Sequence, residues 1–206
     1  MRPPASQDKK RLSKLFRIYR ELDKQTESFQ KASGLKCKAG CGHCCENPDV
    51  ETTAFEMMPA AMDLWQKNLG EIWLDKIEKF ASPGRCVFYE PHPSACGQGR
   101  CTIYPLRPLI CRLFGFSAKK NKTGDPVLVT CGIIKKEQPQ EYARTVQRIA
   151  KGLKIPVMPD YTAQVTALDP GINTKPLPIN MALKTALELI GFKIRLRGQD
   201  RQGSKA

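Results

Sequence analysis

At 206 residues, 41% of them hydrophobic, the chain is long enough for one packed domain, alone or with an appendage. No stretch approaches the roughly 20 apolar residues that span a bilayer, and the first 30 residues hold no unbroken apolar run, so neither a membrane span nor a signal peptide is expected. The net charge of +14 is uneven: residues 1–31 hold nine Lys/Arg against four Asp/Glu, and residues 193–206 hold five against one.

Basic ends of this kind are expected to solubilise the chain. Specific nucleic-acid recognition and contact with a membrane surface are the minor readings. In chain order, Leu12, Leu15, Phe16, Tyr19 and Leu22 recur at helical spacing, which predicts an amphipathic helix over residues 8–30, closed by Gly34. After an Asn-Pro-Asp turn, Thr52-Thr-Ala-Phe-Glu opens a helical region. Its stripe of Phe55, Met58, Met62 and Trp65 is continued past Gly70 by Leu69, Ile72, Ile77 and Phe80. From Ser82 to Gly132 short apolar runs, Cys86-Val-Phe-Tyr, Cys101-Thr-Ile-Tyr and Val127-Leu-Val-Thr, predict short strands or extended turns, the first two joined by the loop Pro91–Arg100. A further helix is expected from Tyr142, Val146, Ile149 and Leu153 on one face. Residues 156–178 carry five prolines and are expected to lack regular structure. The last helix uses Ile179, Leu183, Leu187 and Ile190, with Gly191 near its end.

Chemistry concentrates in the nine cysteines, four of which fall within Cys37-Lys-Ala-Gly-Cys41-Gly-His-Cys44-Cys45. Buried cysteines act as small hydrophobes when their neighbours are apolar, but these neighbours suit a tight loop around a metal. An odd count argues against a closed disulfide framework, and the expected soluble, cytoplasmic setting keeps thiols reduced. Cys37-x3-Cys41-x2-Cys44 places three thiols on one loop, able to cap three corners of a cubane iron–sulfur cluster while a distant residue supplies the fourth ligand. Zinc is the rival, because Cys41-x2-Cys44 has half-site spacing that a later pair such as Cys101 and Cys111 would complete. Adjacent Cys44 and Cys45 point oppositely in extended backbone. Either Cys45 packs inward as a plain thiol, or the pair reaches towards two neighbouring metal positions. With Cys86, Cys101, Cys111 and Cys131 in hand, one site is expected and two remain open.

Arg107 and Arg112 flank the later cysteines and are expected to offset thiolate charge or donate to sulfur, while Pro105 and Pro108 stiffen the segment between them. The same three-cysteine spacing occurs in radical S-adenosylmethionine enzymes, but the alternation of strands and helices their barrel needs is missing. His43 is made redundant by its flanking thiols, His92 lies in a loop, and Glu51, Glu56 and Asp63 read equally well as helical surface charge.

The loop Cys37…Cys41…Cys44-Cys45, followed by Cys86-Val-Phe and Cys101-x2-Tyr104-x2-Arg107-Pro108-x2-Cys111-Arg112-x-Phe114, resembles the YkgJ-type cysteine-cluster family over about residues 34–132. The resemblance implies zinc or iron chelation by these cysteines, with iron–sulfur binding in some members. Longer relatives are flagellin lysine N-methylases, for which this chain shows no separate domain. It departs from the family at Val87, where proline is frequent, and at Cys96, which has no clear counterpart.

The expected fold is mostly α with a small β element, built around a cysteine-ligated metal centre. Residues 1–33 form a basic helix, 34–153 the cysteine-cluster domain, and 154–206 a proline-rich segment, helix and basic tail. The expected ligands are Cys37, Cys41, Cys44, Cys45, Cys86, Cys101, Cys111 and Cys131, with Arg107 and Arg112 beside them. The leading function is a metal-binding protein holding a [4Fe–4S] cluster, with a protein or redox partner and no specific nucleic acid. Its alternatives are a structural zinc module and a metal-dependent protein-modifying transferase.

Overall fold

The computed structural model describes residues 6–80, 84–93, 98–171 and 175–203; Cys96 and its loop lie outside them. The described residues are mostly helical, with small two-stranded antiparallel sheets, as the sequence predicts. Helix α1 (Ser6–Ser33) buries Leu12, Leu15, Tyr19 and Leu22, the stripe read from the sequence. The cysteine loop follows and leads into the two-residue strand β1 (Glu51–Thr52).

Helix α2 (Ala54–Gln66) begins where the Thr53 hydroxyl accepts the Glu56 amide hydrogen, an N-cap contact that satisfies one of the helix's orphan donors. The stripe expected to run on past Gly70 is broken. Asn68 takes a left-handed φ of 58°, α3 (Gly70–Lys79) restarts in a new direction, and Ile72 points to solvent at 59% exposure. The Trp65 ring fills the corner, so close to Gly70 that a Cβ there would lie 2.3 Å from it.

Three small sheets punctuate the middle of the chain. β2 (Tyr89–Pro91) pairs with β3 (Gly99–Cys101), placing Tyr89 opposite Cys101. After α4 (Leu109–Leu113), β4 (Ser117–Lys120) pairs with β5 (Pro126–Val129). The strand read at Val127-Leu-Val-Thr is present, but its partner β4 carries no apolar run and escapes a sequence reading. Helices α5 (Gly132–Glu137) and α6 (Pro139–Ala150) follow. Val146, read as part of α6's inner face, is 43% exposed; Thr145 is buried instead, donating to Glu141 O at 2.6 Å.

Two further expectations are corrected. Residues 156–178 contain α7 (Met158–Thr166) and β6 (Leu177–Pro178), the latter paired with β1. Pro159 sits in the first turn of α7, where its missing N–H costs nothing, and Tyr161 and Val165 bury one face. Gly191 does not end the last helix, since α8 spans Ile179–Gly203. Its place is explained by Trp65, whose ring leaves 2.5 Å for a Cβ at Gly191 and whose Nε1 donates to Leu187 O at 2.9 Å.

Buried side chains gather in two cores. The larger joins α1, α2, α4, α7 and α8 around residues such as Leu15, Phe55, Leu113, Val165 and Leu183. The smaller joins the end of α1 to β4, α5 and α6 through Phe29, Phe116, Ile134 and Ile149.

Candidate metal centre

Between the cores lies a cavity of about 840 Å³. All eight described cysteines are free thiols, and all eight line it. Chain segments far apart in sequence therefore deliver their thiols to one chamber.

The cysteine loop is shaped by backbone contacts. Gly40 and Gly42 take left-handed φ values of 68° and 60°, and His43–Cys45 closes as a single 3₁₀ turn. Gly42 admits no side chain, because a Cβ would meet Tyr89 Cε2 at 2.5 Å and the Gly99 carbonyl at 2.9 Å. The loop's far end is stitched to the β2–β3 region: Cys86 N donates to Cys45 O and Gly99 N to Gly40 O, both at 2.9 Å. Its near end is clamped elsewhere. Lys36 N donates to Gln138 Oε1 at 3.0 Å, and Gln138 Nε2 donates back to Lys36 O at 2.7 Å. Gln138 follows α5, the helix that Cys131 precedes as N-cap.

The thiols differ in environment. The single S–H of Cys45 is shared between Cys101 and Cys44, which raises its own pKa. Those hydrogen bonds, with help from the Arg107 charge, lower Cys44 to about 6 and Cys101 to about 7. Burial pushes Cys86 up to about 11, and burial, reinforced by Cys86, raises Cys111 as well. Although Cys44, Cys45 and Cys101 touch, no group of three or more described His, Cys, Asp or Glu side chains is set to hold a metal ion as it stands. The thiols ring the chamber and do not converge on a point.

Of the two arginines, Arg107 is the one whose charge reaches the thiols. It stacks on Tyr104, 3.4 Å from the ring centroid, and its Nη1 donates to Cys111 O at 3.4 Å. Arg112 lines the chamber too, but its guanidinium is spent on structure. It pairs with Asp23 at 2.6 Å, donates to the carbonyls of Pro105 and Arg107, and lies over the Tyr19 ring. His43 faces outward, 3.4 Å from Glu46.

A hub the sequence reading missed supports the wall. Glu56, far from being surface charge, is 6% exposed. Its Oε1 accepts from Tyr19 OH at 3.0 Å and Leu109 N at 2.7 Å, and its Oε2 accepts from Thr52 Oγ1 at 3.1 Å. Leu109 opens α4, so Glu56 fixes the helix that carries Cys111. Thr53-x-x-Glu56 is a capping-box pattern, the one signal that marks Glu56 as special in sequence. Asp63, by contrast, is on the surface beside Lys67, and Glu51 is exposed.

Residues 36–132 match the family model CxxCxxCC, described as a "Putative zinc- or iron-chelating domain". No curated protein and no solved structure matches the chain. The CxxCxxCC segment supplies every thiol in the chamber, and its donor set of sulfurs alone suits zinc or iron. The fold closes around it from outside the segment, with α1 contributing Tyr19 and Asp23 and α8 contributing Ile179 to the chamber wall.

Proposed function

We propose that the protein binds a [4Fe–4S] cluster on Cys37, Cys41 and Cys44, with Cys131 as the fourth thiolate. The observation that carries this reading is the gathering of all eight described thiols around one chamber of about 840 Å³. A single zinc ion draws four sulfurs to about 2.3 Å from one point, whereas a cubane spreads its thiolates around a larger body. The spread of these thiols matches the second arrangement. The Lys36–Gln138 clamp holds the start of the loop beside α5, which supports Cys131 as the fourth partner.

A bound cluster supplies one-electron chemistry. The chain's own residues would hold its thiolates, with the Arg107 charge offsetting their negative charge. Such use requires a reducing compartment, consistent with a cytoplasmic location. Among the described residues no helix is long and apolar enough to cross a membrane.

Anaerobic purification from iron-replete cells tests the reading. A brown protein containing iron and acid-labile sulfide is expected. Colourless protein with stoichiometric zinc would replace the cluster with a structural zinc site.

A further inference from the structure

One cubane or one tetrahedral ion takes four protein sulfurs, yet eight line the chamber. We propose that the chamber holds two metal positions: the loop position of Cys37, Cys41, Cys44 and Cys131, and an inner one formed by Cys45, Cys86, Cys101 and Cys111. The inference rests on the reading above that these thiols bind metal, and it adds a site to it.

The division follows the packing. Cys86 belongs to the larger hydrophobic core, and Cys45, Cys101 and Cys111 pack against that same core. Cys131 packs against the smaller core instead. The backbone divides the same way. Cys45 O accepts from Cys86 N at 2.9 Å, which ties the last cysteine of the loop to the inner set. At the other end, Lys36 is clamped to Gln138 beside the helix that Cys131 precedes.

Cys44 and Cys45 form the boundary. They are consecutive in a 3₁₀ turn, where successive side chains leave the axis about 120° apart, yet their thiols still touch, so the pair stands where the two positions adjoin. This geometry favours the second sequence-based alternative, in which the adjacent pair reaches two neighbouring positions. The positions also differ in access, since Cys37 is exposed and Cys86 is buried. The inner position takes a soft, thiolate-loving centre, either a zinc ion or a second iron–sulfur cluster.

The test uses the full chain, loaded anaerobically in parallel with ferrous iron plus sulfide or with zinc. Metal and sulfide per chain are measured for the wild type, for the double variant Cys37→Ser/Cys131→Ser, and for Cys101→Ser/Cys111→Ser. In the zinc arm each double variant is expected to retain about half of the wild-type metal, because one four-sulfur position survives. Sulfide retained by Cys37→Ser/Cys131→Ser identifies a second cluster, and zinc retained without sulfide identifies an ion. Circular dichroism checks the fold. If the inner variant unfolds, the outer one decides alone, since Cys37 is exposed and Cys131 is only half-buried. Complete loss of metal from a folded outer variant overturns the two-position arrangement and leaves the single-cluster reading standing, whereas metal unchanged from wild type in that variant overturns both. A wild-type chain that takes up neither metal overturns both.

Discussion

The Tyr19 hydroxyl donates a 3.0 Å hydrogen bond to Oε1 of Glu56, tying α1 to α2 inside the larger core. The same oxygen accepts from Leu109 N, so one carboxyl fixes three helices around the chamber. Burial, together with the neighbouring Glu56 charge, holds the Tyr19 pKa well above its ordinary value, which keeps the hydroxyl a donor.

Replacing Glu56 with alanine strands the Tyr19 hydroxyl and the Leu109 amide, at about 1–3 kcal/mol for each unsatisfied buried group. A loss of about 3 kcal/mol or more is expected, read as a lower urea midpoint, with reduced metal content because α4 carries Cys111. Glu56→Gln should be milder. Its amide oxygen still accepts from Tyr19 and Leu109, while its NH₂ faces Thr52 and Thr53 hydroxyls that are able to accept. Equal losses for the two variants would contradict this account of the hub.

How far the sequence was legible depends on the kind of signal. The cysteine spacing and the stripe of Leu12, Leu15, Tyr19 and Leu22 are local patterns, and they led directly to the loop and to α1. Other features depend on tertiary contacts. β4 reads Ser-Ala-Lys-Lys and is a strand because β5 lies beside it. Gln138 reads as a surface residue until its amide is found clamping Lys36 across 102 positions. α7 is masked by the prolines around it, although Pro159 at its start is compatible with a helix.

Gly191 illustrates a sign that sequence alone gets wrong. In a helix interior, glycine to alanine ordinarily stabilises by about 1 kcal/mol. Here the new Cβ would stand 2.5 Å from the Trp65 ring, which is rigid and anchored to Leu187 O. Overpacking of this kind costs about 1–3 kcal/mol, so Gly191→Ala is expected to be net destabilising. Thermal midpoints of Gly191→Ala, and of Gly191→Ala combined with Trp65→Leu, check it. The second variant should recover part of the loss relative to Trp65→Leu alone.

The thiols should react in an order set by their surroundings. In the reduced, metal-free chain Cys44 ionises near pH 6 and Cys101 near pH 7, while Cys86 is held up to about 11. Because the thiolate is the nucleophile, alkylation of the first two should be close to its plateau by pH 8, and that of Cys86 should still be climbing at pH 10. Brief iodoacetamide pulses across this range, followed by peptide mapping, give each profile. Cys86 modified ahead of Cys101 at pH 7 would show that these environments are misassigned.

The basic ends are expected to bind nucleic acid weakly and without choice of sequence. Lys193 Nζ lies 2.8 Å from Asp8 Oδ2, which brings α8 against the start of α1. Excess Lys and Arg at the two ends attract phosphates through counterion release, so affinity should fall steeply as salt rises. Reading bases needs more than charge. Single-strand platforms stack successive bases on several aromatic rings, and Phe192 is the one exposed aromatic among the described residues of these two helices. Fluorescence anisotropy with two unrelated oligonucleotides should give similar affinities at every salt concentration. Preference for one sequence by about 1,000-fold at physiological salt, the margin typical of specific readers, would contradict the assignment of these ends as a non-specific surface.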